Sequence, residues 1–348
     1  MGRALRGLKG WAACLVLMLV LAGCGQGTVP STEPEAPKKL SVYTSLYPYQ
    51  FFAEQIGGGR VEVHNLVPPG AEPHEFEPTP KDVVKLDEAD VFVYNGAGFE
   101  RWIDQVLKAI DTSDMVIVKA TEHVNLLSSP GEDGHSGKPH GAAGERPNVD
   151  GAGAHGNKAK AEPGHTDERG NGPYDPHVWL DPVRAKDIAR AIRDAFVRVD
   201  PEGKATYDEN YRKLAEELDR LHAEYETAVK QAPRKEIIVS HSAFGYLADR
   251  YGLKQIAISG LSPSDEPSQK ELQEILALAK AHHAKYILFE TLVSNKVAEV
   301  VRGEIGAEAL TLNPLEGLSK EDVAKGKDYF TVMRENLAVL KKALGVEA

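Results

Sequence analysis

Residues 200–231 read DPEGKATYDENYRKLAEELDRLHAEYETAVKQ, and the architecture turns on them. Asp200 followed by Pro201 is a helix-start signal, an N-cap carboxylate with proline at the first helical position. The pattern predicts a helix of about 29 residues, roughly 43 Å long at the usual rise. Tyr207, Tyr211, Leu214, Leu218, Leu221 and Tyr225 recur at alternating steps of four and three on an otherwise charged helix, so one stripe must be buried. A heptad run this short is also what a coiled-coil dimer presents. A helix lying against its own domains, in a monomer, is the reading carried forward. A helical pattern at 182–199 precedes it, so residues 182–231 are expected to form one long, stiff connector.

The two flanks of this connector resemble each other. Before it, apolar runs at 40–44, 61–67, 91–94 and 115–118 read as strands, alternating with helical patterns at 48–56, 80–88 and 99–110. After it, strands at 236–239, 255–258, 286–289 and 309–312 alternate with helices at 243–251, 268–282, 294–305 and 328–344. Such alternation builds βα units around a parallel sheet. The expected fold is α/β, with two four-stranded parallel-sheet lobes, residues 39–181 and 232–348, joined by a long rigid α-helix.

A chain of 348 residues is long enough for about two domains. A net charge of −11 repels a phosphate backbone and argues against nucleic-acid binding. Both cysteines, Cys14 and Cys24, fall in the first 24 residues. A metal in the folded part must therefore use histidines and carboxylates.

Arg3, Arg6 and Lys9 precede the apolar run 11–22, which is too short to span a bilayer and reads as a signal peptide. Leu21-Ala22-Gly23-Cys24 resembles the bacterial lipoprotein box, in which cleavage before the cysteine leaves it to carry lipid. An uncleaved anchor or a cleaved secretory signal would share the charged and apolar parts; the small residues before Cys24 favour lipidation. Loss of residues 1–23 takes the net charge from −11 to −14. The Pro-rich stretch 24–38 reads as a tether. Residues 128–173 hold 11 glycines and four histidines, His135, His140, His155 and His165, and little to build a core. They read as a disordered surface loop within the first lobe.

In parallel α/β domains ligands bind beyond the carboxyl ends of the strands. His74 follows the second strand in a loop stiffened by Pro68, Pro69, Gly70 and Pro73, and His241 comes directly after the strand 236–239. Glu316 follows the last strand, and His177 lies in Asp175-Pro176-His177-Val178-Trp179-Leu180-Asp181-Pro182, just before the connector. Together they make three imidazoles and a carboxylate, a tetrahedral set for zinc. Imidazole-rich sites also suit copper or nickel, whereas manganese prefers more oxygen. Ligation by neutral imidazoles predicts an affinity that falls as pH drops through about 6.5. His64, His222, His282 and His283 sit inside a strand or on helices and read as non-ligands.

These motifs, with Tyr43-Thr44-Ser45-Leu46-Tyr47-Pro48, Pro73-His74-Glu75-Phe76-Glu77-Pro78, Ser240-His241-Ser242-Ala243-Phe244-Gly245-Tyr246, Gly260-Leu261-Ser262-Pro263 and Asn313-Pro314-Leu315-Glu316-Gly317-Leu318, resemble the zinc-specific solute-binding proteins of bacterial ABC importers. The resemblance covers about residues 39–346. It implies a receptor anchored to the outside of the cell membrane that passes Zn²⁺ to an ABC permease, with His74, His177, His241 and Glu316 as ligands. Zinc members often carry a His- and acid-rich loop between the first two ligands, where residues 128–173 lie. Manganese members tend to have Glu at the place of His241 and Asp at that of Glu316. Some zinc members place an acid just before the first histidine, where this chain has Pro73. The competing readings are a manganese receptor or metal-dependent adhesin of the same fold, and a secreted zinc hydrolase with Glu316 as base. The hydrolase lacks support from any His-Glu-x-x-His motif.

Overall fold

The computed structural model describes residues 39–129 and 172–346. Cys24, the signal and tether segments, and His135, His140, His155 and His165 lie outside the described residues.

The first lobe runs β1 (Leu40–Thr44), α1 (Tyr47–Gly57), β2 (Val61–Asn65), α2 (Pro80–Leu86), β3 (Val91–Tyr94), α3 (Ile103–Ala109) and β4 (Val116–Lys119). Its sheet is parallel, in the order β2-β1-β3-β4. Residues 182–231 form α4 (Pro182–Val199) and α5 (Lys204–Gln231). The second lobe runs β5 (Glu236–Val239), α6 (Gly245–Tyr251), β6 (Lys254–Ala257), α7 (Gln269–Ala281), β7 (Tyr286–Phe289), α8 (Lys296–Ile305), β8 (Glu308–Thr311), α9 (Lys320–Ala324) and α10 (Tyr329–Leu344). It repeats the first order as β6-β5-β7-β8, again parallel. Local signals set many boundaries. Thr79 with Asp82, and Ser268 with Glu271, form capping boxes that start α2 and α7. Gly252, Gly306 and Gly345 stop α6, α8 and α10 in the left-handed conformation.

Strand alternation divides the buried side chains between two faces of each sheet. Val42, Val91 and Val93 join a core that continues through α1, α4 and α5 into Ile237, Val239 and α10 of the second lobe. Tyr43 and Phe92 face the other way, onto α2 and α3. The lobes thus share one core and belong to one compact unit. No helix among the described residues is long and apolar enough to cross a membrane.

The connector differs from the expected single rod. Asp200-Pro201 opens a 3₁₀ turn, Pro201–Gly203, in which the Asp200 carboxylate accepts hydrogen bonds from Gly203 N, Tyr207 Oη and the guanidinium of Arg60. The chain reverses there. α4 therefore runs antiparallel to α5, tied to it by Arg193–Asp208 and Lys186–Asp219, and packs onto the first lobe. The span between lobes is made by α5 alone, 28 residues or about 42 Å. Tyr207, Leu214, Leu218, Leu221 and Tyr225 are buried along it and Tyr211 is partly covered. One end meets α1, where Asn210 Nδ2 donates to Ile56 O at 3.0 Å. The other meets α10, where Tyr225 Oη donates to Met333 O at 2.6 Å. The apolar stripe is satisfied within the chain.

Asp181, fully buried, ties the start of α4 to the second lobe. It caps α4 through Val183 N and accepts bonds from Arg184 (2.7 Å) and, bidentately, from Arg250 of α6 (2.7 and 3.0 Å). Asp181→Ala strands two guanidinium groups that keep some access to water. The expected loss is about 3 kcal/mol, the low end for breaking a buried pair. Denaturant unfolding checks this; a loss under about 1 kcal/mol would put the pair in the surface class.

Candidate metal centre

Four loops from the carboxyl ends of the two sheets and from the start of the connector meet at the seam. The loop after β2 is held by its own chemistry: Glu72 accepts hydrogen bonds from His74 N (3.1 Å) and Glu75 N (2.7 Å), and Gly70 N donates across the seam to Leu318 O (2.8 Å). The His74 ring packs on Phe99, centroids 4.4 Å apart. His177 is fixed by Asp175, whose Oδ1 accepts from His177 N at 2.9 Å and lies 2.8 Å from Nδ1. Asn95, after β3, donates to Pro176 O (3.0 Å). The Asn95 backbone N–H is bonded in turn to the buried Glu100 carboxylate (2.8 Å). Burial raises the Glu100 carboxyl, against the lowering effect of Ser45 Oγ and the backbone N–H groups of Asn95 and Gly96.

His241 leaves β5 directly, with Nδ1 3.0 Å from Glu290 Oε1. Glu316 follows a turn in which Leu315 has φ 57°, a left-handed conformation uncommon for leucine. Asn313 Oδ1 holds that turn by accepting from Leu315 N at 2.8 Å, and Asn313 is itself locked to Asn336 of α10. Trp179, two residues after His177, closes the seam by donating Nε1–H to Pro314 O (2.8 Å) while its carbonyl accepts from Tyr329 Oη (2.6 Å).

These loops bring together all four residues singled out from the sequence. One ligand atom from each of His74, His177, His241 and Glu316 lies within 4.8 Å of the others. Glu316 Oε1 is 3.4, 3.4 and 3.3 Å from Nε2 of His74, His177 and His241. A tetrahedron with zinc–ligand bonds of about 2.05 Å has edges of roughly 3.3 Å, so these three separations match the edges that meet at Glu316 Oε1. Those four atoms are buried and have no hydrogen-bond partner. Orphaned buried polar atoms carry a desolvation penalty that a shared cation removes. His64, which packs on Tyr43, and His222, which contacts Tyr251, lie outside the cluster, as do His282 and His283.

The charges favour a cation. Burial opposes ionisation of Glu316, but the charge of His74 and the contacts with His177, His241 and His74 hold its carboxyl well below the usual range. Burial would lower His177, yet Asp175 and Glu316 raise it. Burial would lower His241 as well, and Glu290 followed by Glu316 pushes it up to about 10. The carboxylates thus favour the charged rings of His177 and His241, and the histidines favour an ionised Glu316. His177, His241 and Glu316 are almost fully buried and His74 is only partly so. The His74 side chain, 8% exposed, is the least buried of the four.

Sequence reasoning assigned no role to Asp175 or Glu290. Asp175 stood in the quoted His177 motif, two residues before the ligand. Glu290 directly follows a strand, the same signal that picked out His241.

Two parallel-sheet lobes that meet over a buried cluster of three imidazoles and a carboxylate define a two-lobed α/β protein whose seam could hold a metal ion. The chain belongs to the ZnuA family, zinc-uptake complex component A, periplasmic, which matches residues 42–343. It is 37% identical over 343 residues to the high-affinity zinc uptake system protein ZnuA of Bacillus subtilis, covering 98% of this chain and 99% of that one. It is 37% identical over 317 residues to the zinc-binding lipoprotein AdcA of Streptococcus pneumoniae, covering 91% of this chain and 58% of that longer protein. Among solved structures, the metal-dependent lipoprotein YcdH of Bacillus subtilis superposes with a TM-score of 0.68 at 37% identity, covering 88% of this chain and all of that one. The Zn(II)-bound ZnuA-like domain of Streptococcus pneumoniae AdcA gives 0.67 at 35% identity, over 88% and 99%.

Proposed function

We propose that the chain is a lipid-anchored, monomeric receptor outside the cell membrane that captures Zn²⁺ with His74, His177, His241 and Glu316 and delivers it to an ABC permease, without catalysing a reaction. The observation that carries this reading is the convergence of three Nε2 atoms on Glu316 Oε1 at 3.3–3.4 Å, all four buried and unpartnered. Four protein ligands fill a tetrahedral zinc and leave no position for an activated water. Such a site suits an ion that is held and then released. Three imidazoles to one carboxylate suit zinc better than manganese. The names of the relatives support the same cargo. In this reading residues 1–23 are removed, Cys24 carries the lipid, residues 24–38 are the tether, and lobes 39–181 and 232–348 flank the connector 182–231.

Metal analysis of the chain after exposure to mixed Zn²⁺, Mn²⁺, Cu²⁺ and Ni²⁺ tests the cargo. One zinc per chain is expected; one manganese would make this a manganese receptor.

His135, His140, His155 and His165 serve, in this reading, as weak accessory ligands for local capture. Bringing any two together orders a glycine-rich chain, so their complexes are far weaker than a preformed site. The segment is clasped at its base by Ser129 N to Pro173 O (3.0 Å), Ser129 Oγ to Gly172 O (2.8 Å) and Asp175 N to Leu127 O (2.9 Å). Deleting residues 130–171 is expected to leave one tight zinc per chain and remove additional weak binding in a zinc titration. Loss of the tight site would place a loop histidine among its ligands.

A further inference from the structure

We infer that Glu290 is a positioning residue of the metal centre: its carboxylate holds His241 by Nδ1, so that Nε2 is the nitrogen offered to the ion. The inference deepens the receptor reading and rests on it.

Backbone register brings the pair together. β5 and β7 are neighbours at the point where the strand order of the second lobe reverses, the crevice in which such sheets bind ligands. Val239 pairs with Leu288, and Ser240 N donates to Leu288 O at 2.9 Å. Carried two residues beyond that pair, the register sets His241 opposite Glu290. There a carboxylate oxygen lies 3.0 Å from Nδ1, within hydrogen-bond distance although the two groups are not aligned as a bond, and accepts a bond from Ser240 Oγ at 3.2 Å.

The Glu290 side chain is 3% exposed, and among the described residues His241 is its only ion-pair partner. A carboxylate buried without lysine or arginine does little for the fold. It does have a use behind a ligand. Neutral imidazole can bind a metal through either nitrogen, and a carboxylate acceptor at Nδ1 keeps the proton there and turns the Nε2 lone pair on the ion. Asp175 makes such a hydrogen bond to His177, 2.8 Å from its Nδ1, where Glu290 makes a close approach to His241. Asp175 also builds the backbone turn and lies where a Cβ on Gly245 would come within 2.3 Å of its Oδ2. Changing it disturbs loop and lobe packing together. Glu290 lacks those ties, so it isolates the positioning effect.

The test uses the full chain and two substitutions of similar length. Glu290→Met removes the acceptor and Glu290→Gln keeps one. Zinc affinity is measured by chelator competition, geometry by the visible spectrum of the Co²⁺-loaded protein, and fold by melting of the metal-free chains. Glu290→Met is expected to bind zinc about 10–100-fold more weakly and to lose the four-coordinate cobalt spectrum, with an undiminished melting temperature. Glu290→Gln is expected to keep that spectrum and most of the affinity. Zinc binding and a cobalt spectrum unchanged in Glu290→Met would overturn the inference. So would equal losses in both variants, because charge rather than the hydrogen bond would then be at work. Failure of the receptor reading itself would show in the unsubstituted chain, as no zinc bound.

Discussion

Replacing His177 or His241 by alanine is expected to weaken zinc binding by on the order of 10³-fold, about 4 kcal/mol, while the chain stays folded. Each is one of four ligands, and each is backed by a carboxylate, Asp175 or Glu290, that loses its partner with the ring. The variant site must bind with three ligands and admit water into a buried space, a larger change than the 10–100-fold typical of residues standing behind ligands. His74→Ala should also lose orders of magnitude. It is the least buried of the four side chains, so water reaches the vacated position most readily there. Glu316→Ala should lose less than the histidine variants, because water can replace one carboxylate oxygen. Competition against a chelator of known affinity measures all four. An unchanged affinity in any histidine variant removes that residue from the site.

Zinc binding is expected to release protons and to strengthen with rising pH well past neutrality. Ligation needs a free Nε2 on each ring, so any proton held there must leave. An ordinary imidazole titrates near 6.5 and would let affinity level off above about pH 7.5. Here burial, which alone lowers both rings, is outweighed by Glu290 and Glu316 at His241, pushed up to about 10, and by Asp175 and Glu316 at His177. Protons therefore compete with zinc at neutral pH, and the loss of affinity on acidification begins above the window expected from free histidine. Calorimetric titration at about pH 7.5, a unit above the free-imidazole value, in buffers of different ionisation enthalpy should give at least one proton released per zinc. No release there would mean that the rings are already neutral.

The sequence made the strand ends legible because each strand is a short apolar run bounded by turn chemistry, as at Leu40–Thr44, Val91–Tyr94, Glu236–Val239 and Tyr286–Phe289. Asking which polar residues follow those runs singled out His74, His241 and Glu316. Features that depend on distant partners were less legible. α3 starts at Ile103 rather than 99, because Gly96, Ala97 and Gly98 all adopt positive φ, and Glu100 turns back to bond the N–H groups of Asn95 and Gly96. The reversal between α4 and α5 hinges on Arg60, 140 positions from the Asp200 it holds. Glu290 reads as any acid after a strand until the register of β5 with β7 sets it beside His241.

A crystal of the zinc-loaded chain measured at the zinc absorption edge shows directly whether one zinc sits among His74, His177, His241 and Glu316. A single strong anomalous peak is expected about 2.0–2.2 Å from Nε2 of the three histidines and from a Glu316 carboxylate oxygen. A peak that misses any of these four atoms, or a principal peak on another part of the chain, would contradict this placement.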